Sequence, residues 1–575
     1  MDDPPDGRMA AALYAVNRLR VTSGLIVLAA VVLPVLLGLY HSAAAGFGHM
    51  PALGAEGPDL AAWRALLAVP GLWRAAALSL WTGLAATALA FGLAVVTVAA
   101  LPQRMAGLRR LLAPLLAAPH AALAIGLAFV LAPSGWIARA IAPLAGWVRP
   151  PDLATVGDPW GLALILGLVL KELPFLILVL IGATTQIPMR AQMAAGRSTG
   201  HGRAAIWLCL LLPQLWPLIR LPVMVVVAFS VSVVDMALIL GPSNPPTLSV
   251  LVARLFTDPD LRALLPASAG ACLQMMLAAA AMALVWGAAA AGRLVRGAVL
   301  GCGARLRGLD RVAALPLAGT AVLVALAALA LMGLALWSVA FTWRWPDLWP
   351  GGLSLRAWQG RGGWMRALVL SLGIAAAAAG LALVLAVAWL DGGDRAGRRG
   401  LRGWMRIAVY LPLLLPQISV LVGVSGLALR HGVAPLPAVI WGHMLFVFPY
   451  VMIALAGPWA ALDPRLERTA AALGAGPWRR LWHVKLPALL APILTAAAIG
   501  FSVSIAQYLP TLFLGGGRIA TLTTEAVALS SGSDRRVAAV HAALQAALPW
   551  AVFLLALIVP QRLHRNRRAL NGDTA

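Results

Sequence analysis

The chain is 575 residues long, 61% hydrophobic and only 11% charged, with a mean hydropathy of +0.88. Soluble domains carry about 25% charged residues, so this composition excludes an ordinary soluble protein and makes lipid its solvent. The formal charge of +24 suggests nucleic-acid binding, but the arginines lie mostly in short loops between apolar runs, where they serve as orientation signals, and no nucleic-acid partner is expected.

In chain order, residues 1–20 read as a cytoplasmic N-terminal segment. The run 21–40, followed by "SAAAG", resembles a signal peptide with its cleavage site, yet it is long enough to cross a bilayer and is counted as the first span. Further spanning runs lie at 75–100, 111–132, 160–182, 217–240 and 266–291, completing a first half over 21–291. A basic cytoplasmic linker at 292–312 leads to spans at 313–340, 366–390, 405–429, 436–460, 489–513 and 537–560. The second half thus covers 313–560, and a basic tail follows at 561–575. Each run is about twenty residues or longer, and backbone polar groups in hydrocarbon are satisfied only within a helix. The expectation is an all-α membrane protein of about twelve transmembrane helices. With the N-terminus inside, about 28 Lys and Arg fall in cytoplasmic segments and about 13 outside, which puts both termini in the cytoplasm.

The halves share residues as well as hydropathy. "RAAALSL" (74–80) matches "RALVLSL" (366–372), "PHAALAIG" (119–126) matches "PQISVLVG" (416–423), and "FSVSVVD" (229–235) matches "FSVSIAQ" (501–507). The pairs Leu273-Gln274 and Leu544-Gln545 follow at nearly the same offset. An insertion in the first half near 137–159 accounts for the difference in length. Copies that keep their place in the helix order share one orientation, which implies a pseudo-two-fold axis along the membrane normal and a pathway between the halves.

The loop after the fourth span of each half is the most informative segment. It reads "AAGRSTGHGRAAIWLCLLLP" at 194–213 and "RTAAALGAGPWRRLWHVKLP" at 468–487. Each holds a Gly (Gly200, Gly474) thirteen residues before the Pro of a Leu-Pro pair (Leu212-Pro213, Leu486-Pro487). Small residues and a Gly let a short helix end and turn, and a Pro is tolerated where the next helix starts. The result is a cytoplasmic helix-turn-helix suited to a partner's cleft.

This spacing resembles the EAA loop of ATP-binding-cassette importer permeases: Glu-Ala-Ala, three residues, Gly, nine residues, Ile-x-Leu-Pro. The second copy is the closer one, with Ala470 in place, Ala471 directly after it, and Arg468 where the family has Glu; the first has Ala194, Ala195 and Gly196. Two permease halves in one chain are similar to the ferric-iron and thiamine permeases of type I importers and to an uncharacterised branch of them. The resemblance implies a bacterial inner-membrane permease, two separate ATPase subunits docking on these loops, and an extracytoplasmic solute-binding protein that delivers a small molecule or ion. The chain's two lysines, Lys171 and Lys485, stand before Glu and Leu, so a P-loop is absent and ATP is used by the partners. No cofactor, catalytic group or metal site is expected, and Cys209, Cys272 and Cys302 show no paired spacing.

Ionisable groups within spans usually face protein or a water-filled path. Glu172 and Asp235, with Gln507 as the second-half counterpart of Asp235, are candidate substrate-path residues that would favour a cationic solute. A structural ion pair of Glu172 with Arg220, or Lys171 snorkelling to an interface, is the alternative. His120, His443 and His541 are read as hydrogen-bonded packing residues. A rival architecture is the major-facilitator secondary transporter, whose cytoplasmic loop "DRAGRR" (394–399) resembles.

Overall fold

The computed structural model describes residues 18–102, 104–303, 308, 314–359, 363–397, 403–532 and 534–563. Most of the segment 1–20, the stretches 304–307 and 309–312 of the linker, residue 313, and most of the tail 561–575 lie outside the described residues. Among the described residues, ten helices are long and apolar enough to cross a membrane, and a bent pair makes an eleventh. The shorter apolar helix Gln417–Arg430 stands in the place of the remaining predicted span.

The first half runs α1 (Arg18–Gly46), α2 (Leu72–Ala100), α3 (Met105–Ala117), α4 (His120–Leu131), α5 (Trp136–Ala145), α6 (Leu162–Thr184), α7 (Met189–Ser198), α8 (Arg203–Ser232), α9 (Asp235–Leu240), α10 (Leu248–Phe256) and α11 (Leu264–Gly301). The second half runs α12 (Ala314–Val339), α13 (Trp364–Arg395), α14 (Trp404–Leu414), α15 (Gln417–Arg430), α16 (Pro435–Ala461), α17 (Pro464–Ala472), α18 (Pro477–Ala488), α19 (Leu490–Ala506), α20 (Leu509–Gly515), α21 (Leu522–Ser530) and α22 (Arg535–Leu563). A short hairpin, β1 (Ala340–Thr342) with β2 (Gly352–Leu353), follows α12. The order of the remaining helices repeats, while the short helix Ala61–Leu67, the hairpin and α5 belong to one half each; α5 sits in the predicted insertion, where residues 132–161 separate α4 from α6 and only 431–434 separate α15 from α16.

Four spans expected to be continuous are broken. The third span of each half divides before Pro119 or Pro416, where the ring removes an N–H and pushes the preceding residue (Ala118 ψ 129, Leu415 ψ 139) into extended backbone. The fifth span unwinds at Val233–Val234 and at Gln507–Tyr508. The second half adds a 78° bend between α18 and α19, whereas its counterpart α8 passes as a single span.

The first helix of each half crosses to the other half. α1 lies on α15, and α12 lies on α4. Ser42 Oγ donates to Ser419 O at 2.8 Å, and Trp441 Nε1 donates to Ala30 O at 3.1 Å. The crossings come closest at Gly423 and Gly126, the final glycines of the matched "PQISVLVG" and "PHAALAIG" copies. A Cβ on either would collide with backbone, of Gly38 or of Ala330 respectively. Small residues at such crossings let helix backbones approach in lipid.

Candidate translocation site and coupling loops

The residues shared by the two halves converge on the breaks in the fifth spans. An unwound segment at membrane depth exposes backbone groups that must be satisfied by protein. Ser79 and Ser371, equivalent in the "RAAALSL" and "RALVLSL" copies, accept from the N–H groups of Leu248 (2.9 Å) and Leu522 (2.8 Å), the first residues of α10 and α21. Ser249 Oγ donates to Val233 O at 2.8 Å, and the equivalent Thr523 Oγ1 donates to Ile505 O, so each break has its free carbonyl capped by a hydroxyl. Gln274 Nε2 reaches Val231 O at 3.2 Å, and Gln545 Nε2 reaches Thr523 Oγ1 at 2.6 Å. The repeat motifs thus hold α10 and α21 back against the broken helices.

The charges gather around the first-half breaks. Asp235 opens α9 beside the N–H of Met236, a position where a helix favours an acid. Lys171 Nζ donates to Leu116 O (2.7 Å) and Ala118 O (2.6 Å), satisfying carbonyls freed where α3 ends before Pro119. Lys171 therefore does not snorkel, and its charge acts on both Glu172 and Asp235. Arg220 turns away to lie 5.7 Å from the Trp286 ring centroid and forms no pair with Glu172. Glu172, which has no hydrogen bond or ion pair among the described residues, lies within electrostatic reach of Tyr450, and Asp235 within reach of Tyr508. Both tyrosines belong to the second half, so both first-half carboxylates lie towards the seam between halves. Phe256 of α10 stacks on Phe513 of α20 across the same seam, with centroids 4.0 Å apart.

Gln507 sits at the equivalent break but is not joined to the acids by any described bond. Its Nε2 donates to His443 O at 3.1 Å, and its buried Oε1 is unpaired. His443 bridges Ser504 and Thr511, each at 2.8 Å, as a packing histidine should. His541 Nδ1 meets Val537 O at 2.9 Å, while the His120 ring lies 4.6 Å from that of Phe229.

On the opposite side, the two motif loops take nearly the same shape. Ala194 and Ala195 lie exposed on α7; Ala471 is exposed and Ala470 half-buried on α17. Gly200 (φ 80) and Gly474 (φ 81) adopt the left-handed conformation that ends each helix. Each chain then passes through one π-helical turn, Trp207–Leu211 or Leu481–Lys485, immediately before Leu212-Pro213 or Leu486-Pro487. A Pro lacks the N–H for a normal helical bond and clashes with the carbonyl four residues back, so widening the turn accommodates it.

The anchors beneath the loops differ. Lys485 Nζ is buried against Asp391 (2.8 Å), Asp394 (3.0 Å) and Glu467 (3.3 Å). Arg395 pairs with Asp391 at 2.6 Å and lies 4.6 Å from the Trp478 ring centroid, Arg480 reaches Glu467 at 3.8 Å, and Trp459 Nε1 donates to Asp394 at 2.9 Å. A compact ammonium with three donors suits three converging carboxylates, whereas a planar guanidinium would not. In the first half Met193, Ile206 and Leu211 occupy the places of Glu467, Arg480 and Lys485, and they join the apolar core. Sequence reasoning missed this ion cluster; the one available signal was that one of only two lysines lies within the motif.

Residues 392–567 match the family described as binding-protein-dependent transport system inner membrane component. The inner membrane ABC transporter permease protein YnjC of Escherichia coli is 34% identical over 524 residues, covering 89% of this chain and 93% of that protein. The chain belongs to the ABC transporter permease family. It is thus a multi-pass inner-membrane transport component. The putative 2-aminoethylphosphonate transport system permease protein PhnV of Salmonella typhimurium is 28% identical over 229 residues, 39% of this chain but 84% of its own length. The molybdenum transport system permease protein ModB of Mycobacterium tuberculosis is 29% identical over 170 residues, 26% of this chain and 62% of that protein. No solved structure matches. The secondary-transporter reading falls with this assignment: Asp394 and Arg395 of "DRAGRR" belong to the cluster that seats the permease's second loop.

Proposed function

We propose that this permease moves a small, positively charged solute, delivered by an extracytoplasmic binding protein, along the seam between its halves. Two separate ATPase subunits dock on residues 194–213 and 468–487, both termini lie in the cytoplasm, and ATP is consumed only by those partners. The observation that carries the reading is the matched pair of Gly-turned, π-bulged loops, one in each half, on the side away from the stacked Phe256 and Phe513. The second loop also presents Leu473, Trp478 and Trp482 to solvent, at 83%, 57% and 63% exposure, an apolar patch of the kind that marks a protein interface. Alternating access then follows from a two-state equilibrium that partner closure biases through these loops. Glu172 and Asp235 supply the negative lining of the path.

Two measurements test this. Affinity purification of the tagged chain should recover an ATPase subunit, and Leu473→Asp should weaken that recovery. Uptake into vesicles holding the assembled transporter should fall at least tenfold for Glu172→Gln and Asp235→Asn at normal expression. Full uptake by both variants would remove the carboxylates from the path; absence of any ATPase from the purified complex would overturn the larger reading.

A further inference from the structure

An open cavity of about 630 Å³ lies on the face opposite the loops, lined by Ser134, Arg139, Trp337, Trp343 and the run Asp534–Arg536. Both halves build it, through the segment around α5, the outer end of α12 with its hairpin, and the start of α22. The guanidinium groups within it are committed differently. Arg536 is held by Asp534 through two 3.0 Å bonds and also donates to Phe341 O. Arg139, 4% exposed, donates to the carbonyls of Ser134 (2.9 Å), Arg344 (2.5 Å) and Asp347 (2.7 Å). Arg535 makes one described hydrogen bond, to Ser134 Oγ at 2.8 Å, and its guanidinium lies over the rings of Phe129 and Trp337 at 5.9 and 5.4 Å.

Arg139 and Arg535 are close enough to repel each other, and neither forms an ion pair with a carboxylate among the described residues. Asp347 acts on Arg139 through its charge, while the other nearby acid, Asp534, is occupied by Arg536. A guanidinium presents five N–H donors in a fork that fits an oxyanion, so Arg535 retains donors that no described residue uses. The depth of the cavity is set by its surroundings. Trp337 and Trp343 line it, and Trp136, Trp345 and Trp349 pack beside them or on Arg139, at the end of α12, in the hairpin that follows it and at the start of α5; such aromatic belts mark the headgroup level of a bilayer.

We propose that this cavity binds a phosphate oxyanion at headgroup depth, with Arg535 as the direct ligand and Arg139 supplying a second positive charge. The phosphate belongs to a phospholipid headgroup or is free in solution, and the chemistry of recognition is the same. Because Ser134 and Arg139 come from one half and Trp337 and Arg535 from the other, occupancy holds the halves together on this face.

The test uses the purified full chain in detergent, stripped of lipid, with melting temperature followed against phosphatidylglycerol and, separately, inorganic phosphate at matched ionic strength. Wild type should show a saturable rise, and Arg535→Gln should need about tenfold more ligand for the same rise. Arg356→Gln, an exposed arginine outside the cavity, should behave as wild type. A response to phosphatidylglycerol alone assigns the source to lipid; a saturable response to inorganic phosphate that competes with the lipid assigns it to the free anion. Arg535→Lys and Ser134→Ala, which disturb the site less, stand in if Arg535→Gln does not fold. Equal responses in wild type and Arg535 variants, or no response to either probe, overturn the proposal.

Discussion

Replacing Lys485 by Met should release the second motif loop. The Lys485 ammonium, 1% exposed, is shared by Asp391, Asp394 and Glu467 within 3.3 Å, and Arg395 and Arg480 supply the only other cations described in the cluster. Among the described residues, removing the lysine takes away the buried cation that these three carboxylates share. Breaking a buried pair in this way costs about 3–5 kcal/mol, which raises the population of the opened loop by about a hundredfold to a few thousandfold. Trypsin reports that opening directly, through cleavage after Arg468 or Arg480 in the intact permease. Lys485→Met should accelerate cleavage at these sites while leaving cleavage in the first loop, after Arg197, unchanged. Combined with Asp391→Asn, the loss should be smaller than the sum of the two single losses by about 0.5–3 kcal/mol, because the residues share one network. Wild-type cleavage rates in Lys485→Met, or strict additivity in the double variant, would refute the idea that the ion cluster seats the loop.

Leu211→Ala, at the matching place in the first half, should destabilise that loop by about 2–5 kcal/mol through a cavity. The same tryptic assay should find this loss insensitive to salt. Lys171→Met should leave Leu116 O and Ala118 O without their donor, at about 1–3 kcal/mol for each buried carbonyl, visible as a lower melting temperature even without transport. Gly474→Ala meets no neighbouring atom within 4 Å, so its cost of about 1–2 kcal/mol comes from the left-handed backbone alone. Its signature is weaker coupling of ATP hydrolysis to uptake in the reconstituted transporter.

Local chemistry was legible in the sequence, and long-range chemistry was not. The loop turns could be read because a Gly and a Leu-Pro pair fix the backbone within one short segment, and both glycines take the conformation that reading requires. The breaks in the fifth spans were hidden because "FSVSVVD" and "FSVSIAQ" stay apolar enough to pass as continuous helix; the hydroxyls that make unwinding tolerable, Ser249 and Thr523, come from later segments. Pro119 and Pro416 stood at the heads of matched motifs and could have marked the third-span breaks, but Pro also occurs within helices here, as at Pro174 and Pro449. The ion cluster was out of reach because Asp391 and Lys485 belong to different spans, and charges with no periodic or spacing relation leave no local trace. Reading "DRAGRR" by itself pointed to another transporter class, because an arginine-rich loop says little until its partners are known.

The crossing of α1 onto α15 and of α12 onto α4 changes what a moving unit means in this protein. Each half of the sequence lends its first helix to the other half, locked by a glycine contact that tolerates no added carbon. On the alternating-access reading proposed above, the bodies that move against each other are therefore exchanged bodies, one holding α1 with the second half and the other α12 with the first. A chain severed between 303 and 314 would yield fragments that must embrace before either has a complete wall, so fusion guarantees the pairing that separately encoded halves would have to find by diffusion.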